Sequence, residues 1–146
     1  MPAVFEGDGI RFLYPDNWKL VGDGGGEDGS VTVQSPQGAF WSVSRHRAGP
    51  AAQTVAGEIL SAMRREYPQV EVEEAQDQVG GALAVGYDMR FYCLDLLVVS
   101  TVRTVEQSGR TLAIMCQAED RDFDRLKSVF SAITHSLLVG ESAAGE

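Results

Sequence analysis

Three long extended segments between residues 82 and 119 constrain the fold of this chain more than any other feature. They read ALAVGYDMRFYC, DLLVVSTVRTVEQ and RTLAIMCQAE, and Ser108-Gly109 between the last two favours a tight hairpin turn. Side chains of a strand alternate between two faces, and here both faces are mostly apolar. The registers that the turns suggest place Tyr87 opposite Thr101. We therefore expect an antiparallel meander that other elements cover on both sides.

Two segments with helical periodicity can supply these covers. The first repeats apolar residues at every fourth position from Val55 to Tyr67 and ends at Pro68. The second, DRDFDRLKSVFSAITHSLL, has Asp120 or Asp122 as its expected N-cap and an apolar stripe along one side. Both patterns predict amphipathic helices that pack on the sheet.

Shorter patterns predict the remaining strands. IRFLY alternates large apolar and other side chains, as a strand does. A hairpin through Pro36-Gln37-Gly38 would pair Val33 with Trp41. The segment QVEVEEAQDQV is polar and acidic, which is typical of a sheet edge that is protected from unwanted pairing.

The order of these motifs resembles the Mog/PsbP/DcrB-like family. The resemblance rests on FLYPDNW and on SGRTLAIMCQAEDRDFDRLKSVFSAITHSL, and it covers the chain from about Gly9 to about Leu138. Its members include a Ran-binding nuclear factor, a thylakoid-lumen photosystem subunit and bacterial proteins linked to envelope or secretion systems. Neither motif is catalytic, so the resemblance implies a scaffold. It also implies that Trp18 is a structural residue packing beside Tyr14.

The resemblance and the patterns together predict an α+β fold. We expect an α/β/α sandwich with a mostly antiparallel sheet of about six to seven strands, covered by two main helices. Residues 1–139 are expected to form a single domain of this PsbP-like type, and residues 140–146 a flexible C-terminal tail.

The charge of the chain disfavours several classes of function. Its 21 acidic and 12 basic residues give a net charge of -9, which repels nucleic-acid backbones and anionic membranes. No signal peptide or membrane span is visible, so we expect a cytoplasmic protein, and the resemblance implies a bacterial one. Cys93 and Cys116 have no zinc-ligand spacing, and we expect two free thiols, no metal and no cofactor.

Five basic side chains form the first candidate site. Arg64 and Arg65 lie in the last turn of the first predicted helix, and Arg45, His46 and Arg47 end a predicted strand. In such an acidic chain they could form a docking surface for another protein with an acidic surface. Alternatively, Arg64 and Arg65 complement the negative C-terminal end of the helix.

A possible ligand cleft around Asp88, Arg90 and Tyr92 is the second candidate site. These residues share one face of a predicted strand, where they could pair at a rim or line a groove under a helix. Ser44 and His46 also share a face. Residues two positions apart in a strand are separated by about 6.5 Å, which predicts no direct hydrogen bond between short side chains.

No catalytic constellation emerges from these residues, so we expect no catalytic residues and no enzyme. This absence and the resemblance to a scaffold favour a non-enzymatic protein-interaction module, and the resemblance implies association with a bacterial secretion or envelope system as one setting. The alternative is a small-molecule-binding protein or an enzyme that uses the cleft near Asp88, Arg90 and Tyr92.

Overall fold

The fold has two helices and nine strands in the part of the chain that the structure describes. This computed structural model describes residues 2–7, 9–23, 30–46, 50–79 and 81–144. Along the chain the elements are β1 (Ala3–Gly7), β2 (Ile10–Tyr14), β3 (Lys19–Asp23), β4 (Val31–Gln34), β5 (Phe40–His46), α1 (Ala52–Glu66), β6 (Glu71–Val79), β7 (Ala82–Cys93), β8 (Leu96–Gln107), β9 (Arg110–Glu119) and α2 (Asp120–Ala144).

Seven strands form one antiparallel sheet in the order β3-β4-β5-β9-β8-β7-β6, and β1 pairs with β2 in a separate two-stranded sheet. This arrangement confirms the predicted fold class. The acidic strand β6 lies at a sheet edge, as predicted. The sequence analysis did not predict β1. The backbone of α2 continues to Ala144, into the range 140–146 that was assigned to a tail.

Helix α1 covers one face of the sheet. Polar contacts fix its beginning: the Ala52 N–H donates to Oε2 of Glu106 at 3.1 Å, and Oγ1 of Thr104 donates to the Ala52 carbonyl at 2.8 Å. At its other end the Tyr67 ring stacks on Phe91 with centroids 4.0 Å apart, just before Pro68. The helix therefore runs from the β8–β9 hairpin towards the β7–β8 hairpin.

Helix α2 and the β1–β2 hairpin cover part of the other face. Trp41 of β5 is fully buried there; its indole N–H donates to Oγ1 of Thr134 at 2.9 Å, and its ring lies 4.6 Å from that of Phe12. The Leu13 N–H donates to Oγ of Ser136 at 2.9 Å. These contacts attach α2 to the hairpin and to the β5 side of the sheet.

Trp18 is a buried anchor of the turn before β3, as the sequence analysis expected. Its side chain is 8% exposed, and its N–H donates to the Pro15 carbonyl at 3.0 Å. Its ring makes an edge contact with the Phe130 ring of α2, with the ring centroids 6.0 Å apart. Tyr14, which was expected beside Trp18, contacts the ring of Phe12 instead.

The register of β7 against β8 differs by one residue from the predicted register. Leu94 and Asp95 form a two-residue turn with φ angles of 50° and 66°, so Tyr87 pairs with Val102, and Thr101 pairs with Asp88 instead. Residues other than glycine rarely adopt such angles, which is why the sequence did not reveal the turn.

The corrected register decides which side chains lie under α2. Asp88 and Arg90 share that face with Val99 and Thr101, whereas Met89 and Ser100 face α1. The corrected register therefore places Ser100 on the face opposite to that of Asp88.

Candidate binding groove between the sheet and the second helix

An open groove lies between α2 and the β6–β7–β8 side of the sheet. It has a larger part of about 600 Å³ and a second part of about 380 Å³ towards the start of α2. Asp88, Thr101, Phe123 and Lys127 line both parts, so the two form one continuous groove. The groove exists because α2 packs mainly on β2 and β9 and contacts β6 only sparsely.

Arg103 of β8 forms a charged bridge on the floor of the groove. Its side chain is 17% exposed; Nε donates to Oδ2 of Asp77 at 2.6 Å, and Nη2 donates to Oδ1 of Asp88 at 2.7 Å. Its Nη1 donates to the carbonyl oxygens of Tyr87 and Val102, at 3.2 and 3.0 Å. The guanidinium thereby ties β6, β7 and β8 together.

The neighbouring carboxylates raise the pKa of this arginine. Burial alone would lower the pKa of Arg103, but the hydrogen bonds and charges of Asp77 and Asp88 outweigh burial and raise it. The guanidinium is therefore permanently charged. Each of its three nitrogens donates to an acceptor within the protein, so it serves as a structural bridge between strands.

Gly86 makes room for this bridge. It pairs with Arg103 across β7 and β8, and a Cβ atom at this position would overlap the carbonyl oxygen of Val102. That carbonyl is one of the acceptors of the Arg103 guanidinium. Sequence reasoning missed both residues, although a lone glycine inside a strand is a known sign of close backbone approach.

Acidic groups outnumber basic ones along the groove. The charged residues in its lining, apart from His135, are Glu71, Glu73, Asp77, Asp88, Asp120 and Asp124 against Arg90, Arg103 and Lys127. Nη1 of Arg90 lies 2.9 Å from Oδ1 of Asp120, and Nζ of Lys127 lies 3.2 Å from Oδ1 of Asp124. The remaining excess negative charge favours a positively charged ligand.

Two of the three residues of the predicted cleft contribute to this groove. Asp88 lies on its floor and Arg90 at its mouth, in an ion pair with Asp120. Tyr92 lies farther out, 71% exposed, where it lines a separate depression beside Tyr67. The three residues share a strand face, as predicted, but they do not line one cleft.

The structure does not bring the predicted basic cluster together. Arg45 and His46 pair with Leu112 and Thr111, near the end of the sheet where α1 begins, and they point to opposite faces. Arg64 and Arg65 lie exposed in the last turn of α1, about 20 Å away along the helix. Arg47 lies outside the described residues. The described members of this cluster therefore lie at two separate places on the surface, and their role in binding an acidic partner stays a prediction.

Ser44 and His46 do form a direct contact, contrary to the sequence argument. The Ser44 Oγ lies 3.2 Å from His46 Nε2. The argument used the backbone separation alone, but the long imidazole side chain leans along the strand towards the hydroxyl. Neither residue is among the described residues that line the groove, so this pair is separate from the candidate site.

Cys116 lines the groove wall as an unreactive thiol. Burial raises its pKa from the ordinary value of 9.0 to about 12, so the thiol stays protonated near neutral pH. Cys93 and Cys116 are both free, as the sequence analysis expected. The groove thus combines apolar walls, internally paired charges and an acidic rim, which suits binding better than nucleophilic chemistry.

Comparison with known proteins identifies the fold. No family model and no curated protein matches the sequence. The solution structure of CyanoP, the cyanobacterial PsbP of Synechocystis sp. PCC 6803, is similar with a TM-score of 0.65 at 17% identity, over 92% of this chain and 90% of that one. The structure of PA94 from Pseudomonas aeruginosa, a protein of unknown function, is similar with a TM-score of 0.60 at 14% identity, over 93% of this chain and 95% of that one.

A third similar structure is LpqN of Mycobacterium tuberculosis, a protein described as involved in cell envelope biogenesis. It gives a TM-score of 0.56 at 15% identity over 92% of this chain and 86% of its own. In the part of the chain that the structure describes, neither helix is both long and apolar enough to cross a membrane. At these identities the similarity concerns architecture alone, and on that basis this chain has a PsbP-like fold.

Proposed function

We propose that this chain is a non-enzymatic protein-interaction module and that it binds its partner along the β6 side of the sheet. The observation that carries the proposal is the uncovered groove between α2 and β6–β8, bordered by an acidic edge strand. On the rest of this face, α2 and the β1–β2 hairpin bury the sheet. Between α2 and β6–β8 the sheet stays uncovered.

The chemistry of the groove supports binding. Its charged groups are largely paired with one another, as in the bridge from Arg103 to Asp77 and Asp88. The Cys116 thiol in its wall is protonated. The acidic rim favours a partner with a basic surface, because the potentials of two binding surfaces are generally complementary. This reverses the partner charge that the sequence analysis expected.

A small-molecule-binding role is the second candidate. The groove's larger part, about 600 Å³, has the size of a typical small-molecule site, and apolar side chains such as Phe130 and Ile114 line it. Native mass spectrometry of the protein purified from its source organism tests this role. A retained small molecule that is lost from a groove variant such as Ala84→Trp would favour it.

The biological setting is a further part of the proposal. We propose a cytoplasmic bacterial protein that acts with a secretion or envelope system. The setting has support from LpqN, which is described as involved in cell envelope biogenesis. The similarity to LpqN is one of fold, and a shared fold does not transfer a role. Identification of the partner therefore tests this setting.

Site-specific photo-crosslinking in the source organism tests the proposed function. A photoreactive amino acid is introduced at Ser131, an exposed residue of α2 in the groove lining, or at Gln53, an exposed residue of α1. We expect a specific protein to be cross-linked from Ser131 and not from Gln53. The purified partner should then bind the wild-type chain directly.

Equal capture from both positions would contradict the proposal. So would a purified partner whose affinity is unaffected when Ser131→Trp fills the groove.

A further inference from the structure

We propose that the outer edge of β6 accepts an extended basic segment of the partner protein as an additional strand of the sheet. The inference rests on the proposed function and specifies its partner. In this mode of recognition, main-chain hydrogen bonds supply affinity, and side chains at alternate positions supply specificity.

The backbone of β6 is regular enough for this pairing. Its nine residues pair with β7 in one continuous register, from Glu71 opposite Arg90 to Val79 opposite Ala82. Among the described residues no strand pairs with its other side. The opposite edge strand, β3, has five residues and a register shift between Leu20 and Gly22.

Natural edge strands are usually blocked by short length, proline, a bulge or charged side chains, lysine above all. β6 contains neither proline nor lysine, and its charged side chains are all acidic, so they protect the edge against an acidic strand and not against a basic one. Its length and regularity distinguish it from β3, which has the features of a blocked edge. β6 is therefore the edge at which another strand can pair along its whole length.

The charges of β6 determine which strand can pair there. Glu71, Glu73 and Glu74 are exposed, and within the described part of the chain no ion pair engages them. A second copy of β6 would place like charges opposite one another, which is unfavourable. A basic strand would place opposite charges there instead. The same glutamates thus disfavour self-association and favour a basic partner.

The positions of the glutamates define the spacing of the basic residues. Glu71 and Glu73 are two residues apart and lie on the groove side of the sheet, while Glu74 faces the α1 side. Lysine or arginine at alternate positions of the incoming strand would lie beside Glu71 and Glu73. Those side chains would also lie near Asp120 and Asp124 of the groove rim.

Hydrogen exchange with a synthetic peptide tests the inference directly. The probe is an acetylated and amidated peptide of alternating lysine and threonine, as long as β6, and the control replaces each lysine with glutamate. We expect the lysine peptide to slow exchange at alternate amides of β6, because its carbonyl groups accept their outward N–H groups. Unchanged β6 exchange at saturating lysine peptide would overturn the inference.

Backbone methylation of the peptide separates strand addition from simple charge attraction. Two lysine peptides carry N-methyl groups on alternate residues, at odd positions in one and at even positions in the other. An added strand donates every second N–H to β6, so one peptide should lose about tenfold in affinity or more relative to the other. Equal affinities of the two peptides would contradict an added strand.

The glutamates are tested by a matched pair of variants. Replacing both Glu71→Gln and Glu73→Gln should weaken binding of the lysine peptide by about threefold to tenfold, because two cross-strand charge pairs are lost. Glu58→Gln, an exposed glutamate of α1, should leave affinity unchanged. Equal effects of the two variants would remove the glutamates from the binding surface.

These results are separable from those of the photo-crosslinking experiment. A partner captured from Ser131 whose binding leaves β6 exchange unchanged would support the groove and overturn the added strand. Failure of capture from Ser131 would overturn the proposed function, whatever the peptide does.

Discussion

The face of the sheet under α2 is divided into two halves that differ in chemistry. Over β3–β4–β5–β9 the core is aromatic and closed, with Phe12, Trp41 and Phe130 in ring contact with their neighbours. Over β6–β7–β8 the floor carries Arg103 between two aspartates, and a groove remains open. One helix therefore has two roles, since it closes the core on one side and forms a groove wall on the other.

The largest expected effect lies in the closed half. Trp41→Ala should lower the free energy of unfolding by about 3 to 5 kcal/mol, because it leaves a large cavity and removes the partner of Thr134. Urea denaturation measures the change. The control is Tyr92→Ala, whose side chain is 71% exposed and which should stay within about 0.5 kcal/mol of wild type. Similar losses in both variants would contradict the division into halves.

The next effect concerns the close approach of backbone beneath the groove. Gly86→Ala should destabilise the fold by about 1 to 3 kcal/mol, because the added methyl group overlaps the backbone carbonyl of Val102. Gly57→Ala is the matched control: it lies in α1 with no atom near an added Cβ, and alanine there should stabilise by about 0.5 to 1 kcal/mol. A neutral Gly86→Ala would show that the two strands separate at little cost.

The fold class was predictable because the family resemblance implied the sandwich, and because hydrophobic periodicity and turn residues, which act locally, indicated its elements. The apolar repeat from Val55 to Tyr67 and the acidic pattern of β6 were sufficient to define a helix and an edge. The register of β7 against β8 was not predictable, because its turn relies on positive φ angles at Leu94 and Asp95.

The candidate site was less predictable than the fold. Asp88 and Arg90 were selected from the sequence, but their partners Arg103 and Asp120 come from distant parts of the chain. The sequence also did not show that the length of α1 separates Arg64 and Arg65 from Arg45 and His46. Pairing between elements determines the site, and only local patterns were available from the sequence.

A smaller effect is expected from the charged bridge in the open half. Arg103→Met should cost about 1 to 2 kcal/mol, because Asp77 and Asp88 lose their partner but remain about half exposed to water. Arg103→Lys should recover only part of this loss, since an ammonium group cannot reproduce the planar fork that bridges two carboxylates. Full recovery in the lysine variant, measured by urea denaturation, would mean that charge alone is sufficient.

The smallest effect at neutral pH concerns Cys116, which lies where the two halves meet. Its folded-state pKa is raised by burial to about 12, against an ordinary value of 9.0. Above pH 9 the unfolded chain releases this proton while the folded chain keeps it, so stability falls as pH rises. Between the two pKa values, the free energy of unfolding falls by up to about 1.4 kcal/mol for each pH unit. Below pH 9 the thiol is protonated in both states, and this part of the stability is fully retained.

The thiol's contribution can be isolated with one variant and one reagent. Cys116→Val should reduce the loss of stability between pH 9 and 10. In the folded protein a thiol reagent should modify the half-buried Cys93 before Cys116, which it should reach only on unfolding, because burial keeps the Cys116 thiol protonated and inaccessible. Rapid modification of Cys116 at neutral pH would show that the groove opens down to the sheet, which would extend the open half across the boundary.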